Sequence, residues 1–240
     1  MKQPGFGVFN PIVRLALWLL VKPLRRWDYK AAQRADVIIA NSSHIQADIK
    51  KYYGRDSTVV FPPIDTARFQ DTPTKNRNGL LVLGRQVPQK QMALAVQACT
   101  ELNLPLLVAG NGSENARLQK LAGLGVKFDT NVSDPDVENY MASTSALIFT
   151  GEDDFGIVPV EALAAGAPVI AYKAGGALDY VIPGKTGEFF EEQTVESLKA
   201  VLKAFDASKY NTDDIKSSAQ KFSVAEFHKN IRKVLENALQ

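Results

Sequence analysis

The stretch GEDDFGIVPVEALAAGAPVIA, residues 151–171, decides the fold. It follows an apolar run at 146–150 and reads as strand end, short acidic loop, helix over 156–165, glycine turn and a next strand at 169–172. Strands this continuous in apolar residues are buried on both faces, which is the situation of a parallel sheet covered by helices. In such a sheet ligands bind at the loops on the carboxyl ends of strands, so the acidic loop lies at the binding edge.

Outward from this unit the alternation holds from Asp36 onward. Strands are predicted at 37–40, 58–61, 80–83, 106–109, 126–128, 146–150 and 169–172, and GEFF at 187–190 reads as another. Helices are predicted near 43–53, 90–102, 114–122, 134–142 and 156–165, and three more near 194–206, 210–220 and 223–238 close the chain. Pro62-Pro63 ends one strand, and DTPTKNRN at 71–78 has the composition of a linker. The expected organisation is an incomplete N-terminal α/β piece over 1–70, a linker at 71–78, a doubly wound parallel-sheet, Rossmann-like domain over 79–220, and a C-terminal helix at 221–240 packing back on the N-terminal part. There is no repeat of fixed period and no low-complexity tract.

The 240 residues are 45% hydrophobic and 22% charged, which excludes a disordered, collagen-like or disulfide-framework chain. Lys and Arg number 28 against 26 Asp and Glu, so whole-chain charge gives no argument for nucleic acid. The distribution is uneven: residues 1–30 carry a local charge of +5 and the remainder −3. Cys99 is the single cysteine, which excludes an intrachain disulfide and a Cys-based zinc site and fits a reducing, cytoplasmic compartment. His44 and His228 lie far apart, leaving little for a His-rich metal site or a Ser-His-Asp triad. The apolar run 12–21, broken by Arg14, is far short of the ~20 residues that span a bilayer. It lacks a small-x-small cleavage site and does not fit a signal peptide. It reads either as an amphipathic helix lying on a membrane or a partner domain, or as a helix packed on its own fold.

Three groups of residues are candidates for chemistry. Glu152, Asp153 and Asp154 crowd the acidic loop; one of them would serve as a helix N-cap, but one cap position does not use three carboxylates. Gly156 permits close approach of a ligand, and the N–H groups of Gly156, Ile157 and Val158 at the helix start form an anion site. Glu161, in the apolar helix IVPVEALAA, is either an acceptor for ligand hydroxyls or a buried structural carboxylate. Arg85 and Lys90, in LLVLGRQVPQK at 80–90, are either a diphosphate clamp at the same sheet edge or ordinary surface cations. LLVAGNG at 106–112 fails the dinucleotide fingerprint at Asn115, and PGKTG at 183–187 fails the P-loop pattern at Asp179. Gly175 and Gly176 offer a further anion-facing helix start.

Together these residues resemble the retaining family-4 glycosyltransferases of the two-Rossmann GT-B fold, mannosyltransferases among them. ADVIIANSSHIQADIKKYYG at 35–54 and VVFPPID at 59–65 are similar to the end of that family's N-terminal domain and its crossover. Gly84-Arg85 with Lys90, VAGNG at 108–112, the acidic loop and GGALDYVI at 175–182 follow in the family's order. The resemblance implies that Arg85 and Lys90 bind the diphosphate of a nucleotide sugar, that Phe155, Gly156, Ile157 and Val158 hold phosphate and sugar, and that Glu161 accepts from the ribose. Asp153 stands at the first acidic position of the E-x7-E pattern, a departure from Glu for which Glu152 or Asp154 would substitute. Asp153, Glu161, Arg85 and Lys90 are then the catalytic set. Gly84, Gly110 and Asn131 complete the nucleotide-sugar site, Asn131 lying on the FDTNV loop (128–132) that selects the base. The implied reaction is sugar transfer with retention, GDP-mannose favoured, to a glycan or lipid-linked acceptor, with no metal and no cofactor. Only the end of the N-terminal domain is present. The other reading is therefore a non-catalytic nucleotide-sugar-binding subunit of a split enzyme, with a separate N-terminal-domain chain docking at residues 1–30. Peripheral contact with the inner face of the membrane through residues 12–26 belongs to the same expectation.

Overall fold

The computed structural model describes residues 11–69 and 77–239, with side chains from Leu17 onward. Most of the expected linker, 71–76, lies outside the described residues.

The N-terminal part begins with helix α1 (Pro11–Ala32) and continues as strand β1 (Ile39–Ala40), helix α2 (Ser43–Tyr53) and strand β2 (Thr58–Val59), the two strands pairing in parallel. Ser42 caps α2 by accepting from the Ile45 N–H, and Gly54, at φ 65°, ends it in the left-handed conformation. Both strands are shorter than the sequence predicts. Pro62 and Pro63 bring no N–H to extend the ladder, and no third strand lies beside β1 among the described residues.

The main sheet has six parallel strands: β3 (Leu80–Leu83), β4 (Leu106–Ala109), β5 (Val126–Asp129), β6 (Ala146–Phe149), β7 (Val169–Tyr172) and β8 (Gly187–Phe190), in spatial order β5-β4-β3-β6-β7-β8. The chain enters at β3, winds out to β5 and returns to β6 on the other side of β3. The switch point, where connections diverge and a crevice opens, is therefore between β3 and β6. Alternate residues serve opposite faces: Leu81, Ala109, Leu147, Phe149 and Val169 join one core, and Leu80, Val82, Val108, Ile148 and Ile170 the other. Helices α3 (Met92–Glu101), α4 (Asn115–Leu121) and α7 (Val195–Ala204) cover the second core. Helices α5 (Asp134–Ser143), α6 (Ile157–Ala164) and α8 (Thr212–Ala219) cover the first. This is why the strands read as apolar runs rather than alternating ones.

One predicted helix divides. Instead of a helix over 90–102, residues Pro88–Lys90 form a separate 3-10 turn and α3 starts at Met92. Between them Gln91 takes φ 51°, a left-handed break that no glycine announces.

Two side-chain arrangements tie distant segments together. The Arg77 guanidinium is largely buried and donates to the carbonyls of Met141 and Thr144 (both 3.0 Å) and Ala165 (2.7 Å), so one cation caps the carbonyl ends of α5 and α6. Near the C-terminus, the Ile64 N–H donates to the Phe222 carbonyl at 2.8 Å, and the rings of Phe61 and Phe222 meet at 5.0 Å. Beyond them helix α9 (Val224–Ala238) buries none of its residues completely. Along α1, Trp18 and Trp27 are 68% and 70% exposed, and Leu19, Leu20 and Leu24 are exposed as well. No described helix is long and apolar enough to cross a membrane.

Candidate functional site

A cavity of about 720 Å³ opens at the carboxyl edge of the sheet, over the switch point. Its size is in the range of sites for small organic ligands. Gly84, Arg85 and Lys90 line it from the loop after β3; Glu152, Asp153 and Asp154 line it from the loop after β6; Phe155, Gly156, Ile157 and Val158 form the entry to α6. The two candidate groups separated by some 70 residues of sequence thus share one crevice because β3 and β6 are sheet neighbours.

The helix entry is shaped for an anion. Gly156 occupies the N-cap at φ 87°, and no side chain caps α6. None of the three acidic residues therefore acts as the cap, and the residues carrying the first N–H groups of the helix line the cavity with no side-chain cap among the described residues. Gly156 is also required sterically: a Cβ there would lie 2.7 Å from the Tyr180 hydroxyl and 3.3 Å from Phe149. Tyr180 is 1% exposed, and its hydroxyl has no hydrogen-bond partner among the described residues.

The cations differ in their engagement. Lys90 forms an ion pair with Asp153 across the crevice, with both side chains about one quarter exposed. Arg85 is exposed and makes no ion pair among the described residues. Glu152 and Asp154 likewise line the cavity with no ion pair among the described residues. A negatively charged ligand at the α6 entry would meet Arg85 directly and would compete with Asp153 for Lys90.

Glu161 sits in the second turn of α6 and does not line this cavity. Burial raises its carboxyl above the ordinary range, while the nearby Arg68 guanidinium draws it down. Arg68 belongs to the Ala67–Phe69 turn and is held by Glu138 (2.7 Å) and the Asp134 carbonyl (2.8 Å), so it joins the crossover segment to α5 beside Glu161. Gly110 and Asn131 also lie outside the cavity lining, on the loops after β4 and β5 along the same sheet edge. At Gly110 a Cβ would fall 2.2 Å from the Gly84 carbonyl, which fixes this glycine by close loop packing. The Asn131 N–H donates to Asp129, whose other oxygen accepts from Tyr140 at 2.6 Å, so the loop is pinned by its own carboxylate.

The glycine pair Gly175-Gly176 is not an open anion site. Both residues are buried, the Gly176 N–H donates to the Asp153 carbonyl at 2.9 Å, and a Cβ at Gly176 would lie 2.3 Å from Phe155. The pair lets a 3-10 turn (Gly175–Asp179) press against the acidic loop from behind. Asn41 and Pro62, from the N-terminal part, also line the cavity. The NSS and FPP stretches carry no sign of this in the sequence, because what faces them depends on the three-dimensional packing.

Comparison with known proteins gives the family and the fold. Residues 63–222 match the family described as glycosyl transferases group 1. The chain belongs to that family. Among its relatives, the mouse GDP-Man:Man(3)GlcNAc(2)-PP-Dol alpha-1,2-mannosyltransferase is 28% identical over 179 residues, covering 62% of this chain and 36% of the relative. The human protein of the same description is 26% identical over 229 residues, covering 80% and 46%. The chain thus spans less than half the length of these mannosyltransferases. Among solved structures, Anabaena HepE in complex with UDP and glucose superposes with a TM-score of 0.73 at 24% identity, over 88% of this chain and 66% of that one. Sucrose-phosphate synthase from Thermosynechococcus elongatus gives 0.77 at 19% identity, over 91% and 62%. These likenesses establish the GT-B-type, Rossmann-like α/β fold.

Proposed function

We propose that this chain carries the donor half of a retaining glycosyltransferase, in which the cavity holds a nucleoside-diphosphate sugar and passes the sugar to a glycan or lipid-linked acceptor. The observation that carries the reading is the placement of Arg85 and Lys90 across the switch point from the uncapped start of α6. A diphosphate seated between them meets positive charge from two sides, the cations on one and the helix N–H groups on the other. Gly110 and Asn131 follow along the same edge on the β4 and β5 loops, where a nucleoside extending away from the crevice would lie.

In the transfer, the acceptor hydroxyl oxygen bonds to the anomeric carbon as the bond from that carbon to the phosphate oxygen breaks. The hydroxyl proton passes to the departing phosphate on the same face, which retains configuration. Arg85, Lys90 and the α6 entry favour the negative charge that grows on the leaving diphosphate, and this stabilisation calls for no metal or other cofactor. Lys90 must exchange Asp153 for phosphate when the donor enters. The freed Asp153 then accepts from a sugar hydroxyl, with Glu152 and Asp154 beside it; the assignment of Glu161 to the ribose hydroxyls requires the nucleoside to extend past the cavity lining to the second turn of α6, where Glu161 stands beside Arg68. Guanine and mannose are favoured because the mouse and human relatives are described as using GDP-Man.

The acceptor side lies towards residues 1–69. The exposed Trp18 and Trp27 beside Lys22, Arg25 and Arg26 support peripheral contact of the 12–26 segment with the inner face of a membrane. The test is incubation with GDP-mannose, UDP-glucose and ADP-glucose, following sugar release and its anomeric configuration by NMR. Release of one sugar with the donor's own configuration supports the reading; inversion refutes retention, and a chain that neither binds nor cleaves any of the three contradicts the donor assignment.

A further inference from the structure

We propose that Thr150 is a positioning residue for the Lys90 ammonium, backed by Gln193. Thr150 follows the last residue of β6 and is 1% exposed. Its hydroxyl donates to the Lys90 carbonyl at 2.7 Å, and the Gln193 side-chain amide donates to the Thr150 carbonyl at 3.0 Å. The next residue, Gly151, brings the two loops into contact: a Cβ there would stand 3.2 Å from the Lys90 Cα and 3.3 Å from the Gln89 carbonyl. On its other side the Lys90 N–H donates to the Val87 carbonyl at 3.0 Å.

These bonds matter because of where Lys90 sits. It ends a single 3-10 turn, and Gln91 immediately after it holds a left-handed φ of 51° that a non-glycine residue keeps only when its surroundings enforce it. The loops after β3 and β6 part company at the switch point, and the bond from Thr150 to Lys90 is a tie across that opening. The Lys90 ammonium stands at the end of a flexible four-carbon stem, and it reaches the Asp153 carboxylate and the cavity mouth from a backbone whose place the tie to Thr150 sets. Thr150 lines the same cavity, but its hydroxyl is engaged by the Lys90 carbonyl, so the role assigned to it acts through Lys90. The consequence for diphosphate binding rests on the donor-site reading, whereas the consequence for Lys90 itself does not.

The test has two readouts on the purified chain. In competitive acetylation with acetic anhydride, read by mass spectrometry against exposed Lys185, Thr150→Val raises Lys90 labelling about threefold or more, as loss of one hydrogen bond allows, and Thr150→Ser labels like wild type. Should Thr150→Val fail to fold, Gln193→Met gives the same direction of change with smaller size. In titrations, Thr150→Val weakens the bound nucleoside diphosphate about three- to tenfold, leaves the monophosphate unchanged, and has no further effect in a Lys90→Ala background. A merely structural threonine would weaken both nucleotides alike, and that result overturns the proposal. Unchanged Lys90 labelling in the folded Val variant also overturns it. A wild-type chain that binds no nucleotide while Lys90 labelling responds as expected refutes the donor reading and leaves the positioning role standing.

Discussion

Replacing Gly156 with alanine tests the site's construction at its tightest point. The residue holds φ 87° and ψ 92°, and an added Cβ meets the Tyr180 hydroxyl at 2.7 Å and Phe149 at 3.3 Å. The backbone conformation costs an L residue on the order of 1–3 kcal/mol, and overpacking against a side chain that is 1% exposed costs about as much again, giving roughly 2–6 kcal/mol in all. For a chain of this size that corresponds to a fall in melting temperature of roughly 5–20 °C. The double variant Gly156→Ala/Tyr180→Phe removes the hydroxyl from the overlap and recovers about 1–3 kcal/mol, leaving the backbone part and the contact with Phe149. Tyr180→Phe alone is stabilising by about 1 kcal/mol, because it takes an unpartnered hydroxyl out of the interior. Thermal and urea denaturation of the four proteins measure the cycle, and nucleoside-diphosphate titration of Gly156→Ala measures the anion site. A Gly156→Ala variant that melts within about 1 °C of wild type and binds diphosphate equally well would refute both the packing argument and the role of the α6 entry.

Lys90→Ala and Arg85→Ala each weaken nucleoside-diphosphate affinity by about 1–3 kcal/mol in calorimetry, with the monophosphate less affected. Arg77→Met leaves three helix-end carbonyls without their donor and destabilises the fold by about 3 kcal/mol or more in urea denaturation, without changing nucleotide specificity. Glu161 gives a pH signature. Burial raises its carboxyl in the folded chain, so folding disfavours the charged form; that penalty is present above the folded value and disappears below the unfolded one. Glu161→Gln therefore gains stability at pH 7, and the gain fades as the pH falls towards about 4 and is gone below it; a variant whose advantage grows on acidification contradicts this assignment.

The sheet was legible because burial on both faces makes each strand an uninterrupted apolar run, as in Leu80–Leu83 and Ala146–Phe149. The co-location of Arg85 and Lys90 with Asp153 followed from the rule that ligands gather at strand carboxyl ends. What escaped was set by contacts between distant residues. The break at Gln91 carries no glycine, so the sequence pattern runs one helix through Lys90 where the chain forms a 3-10 turn followed by α3. Gly175 and Gly176 have the composition of an anion site, yet they are small because Asp153 and Phe155 press against them. Arg77 looks like part of a solvated linker, and its three carbonyl acceptors come from segments 64 to 88 residues away. The acidic loop resolved in favour of the cavity once Gly156 proved to be an N-cap without a side-chain partner, since none of the carboxylates is then spent on the helix.

The most direct test of the central claim is calorimetric titration of the chain with GDP, UDP and ADP, repeated with Arg85→Ala and Lys90→Ala. Saturable binding of one diphosphate, weakened in both variants, is the predicted result and names the base. Binding that ignores both substitutions, or no binding of any of the three, would contradict the assignment of this crevice as a nucleotide-sugar site.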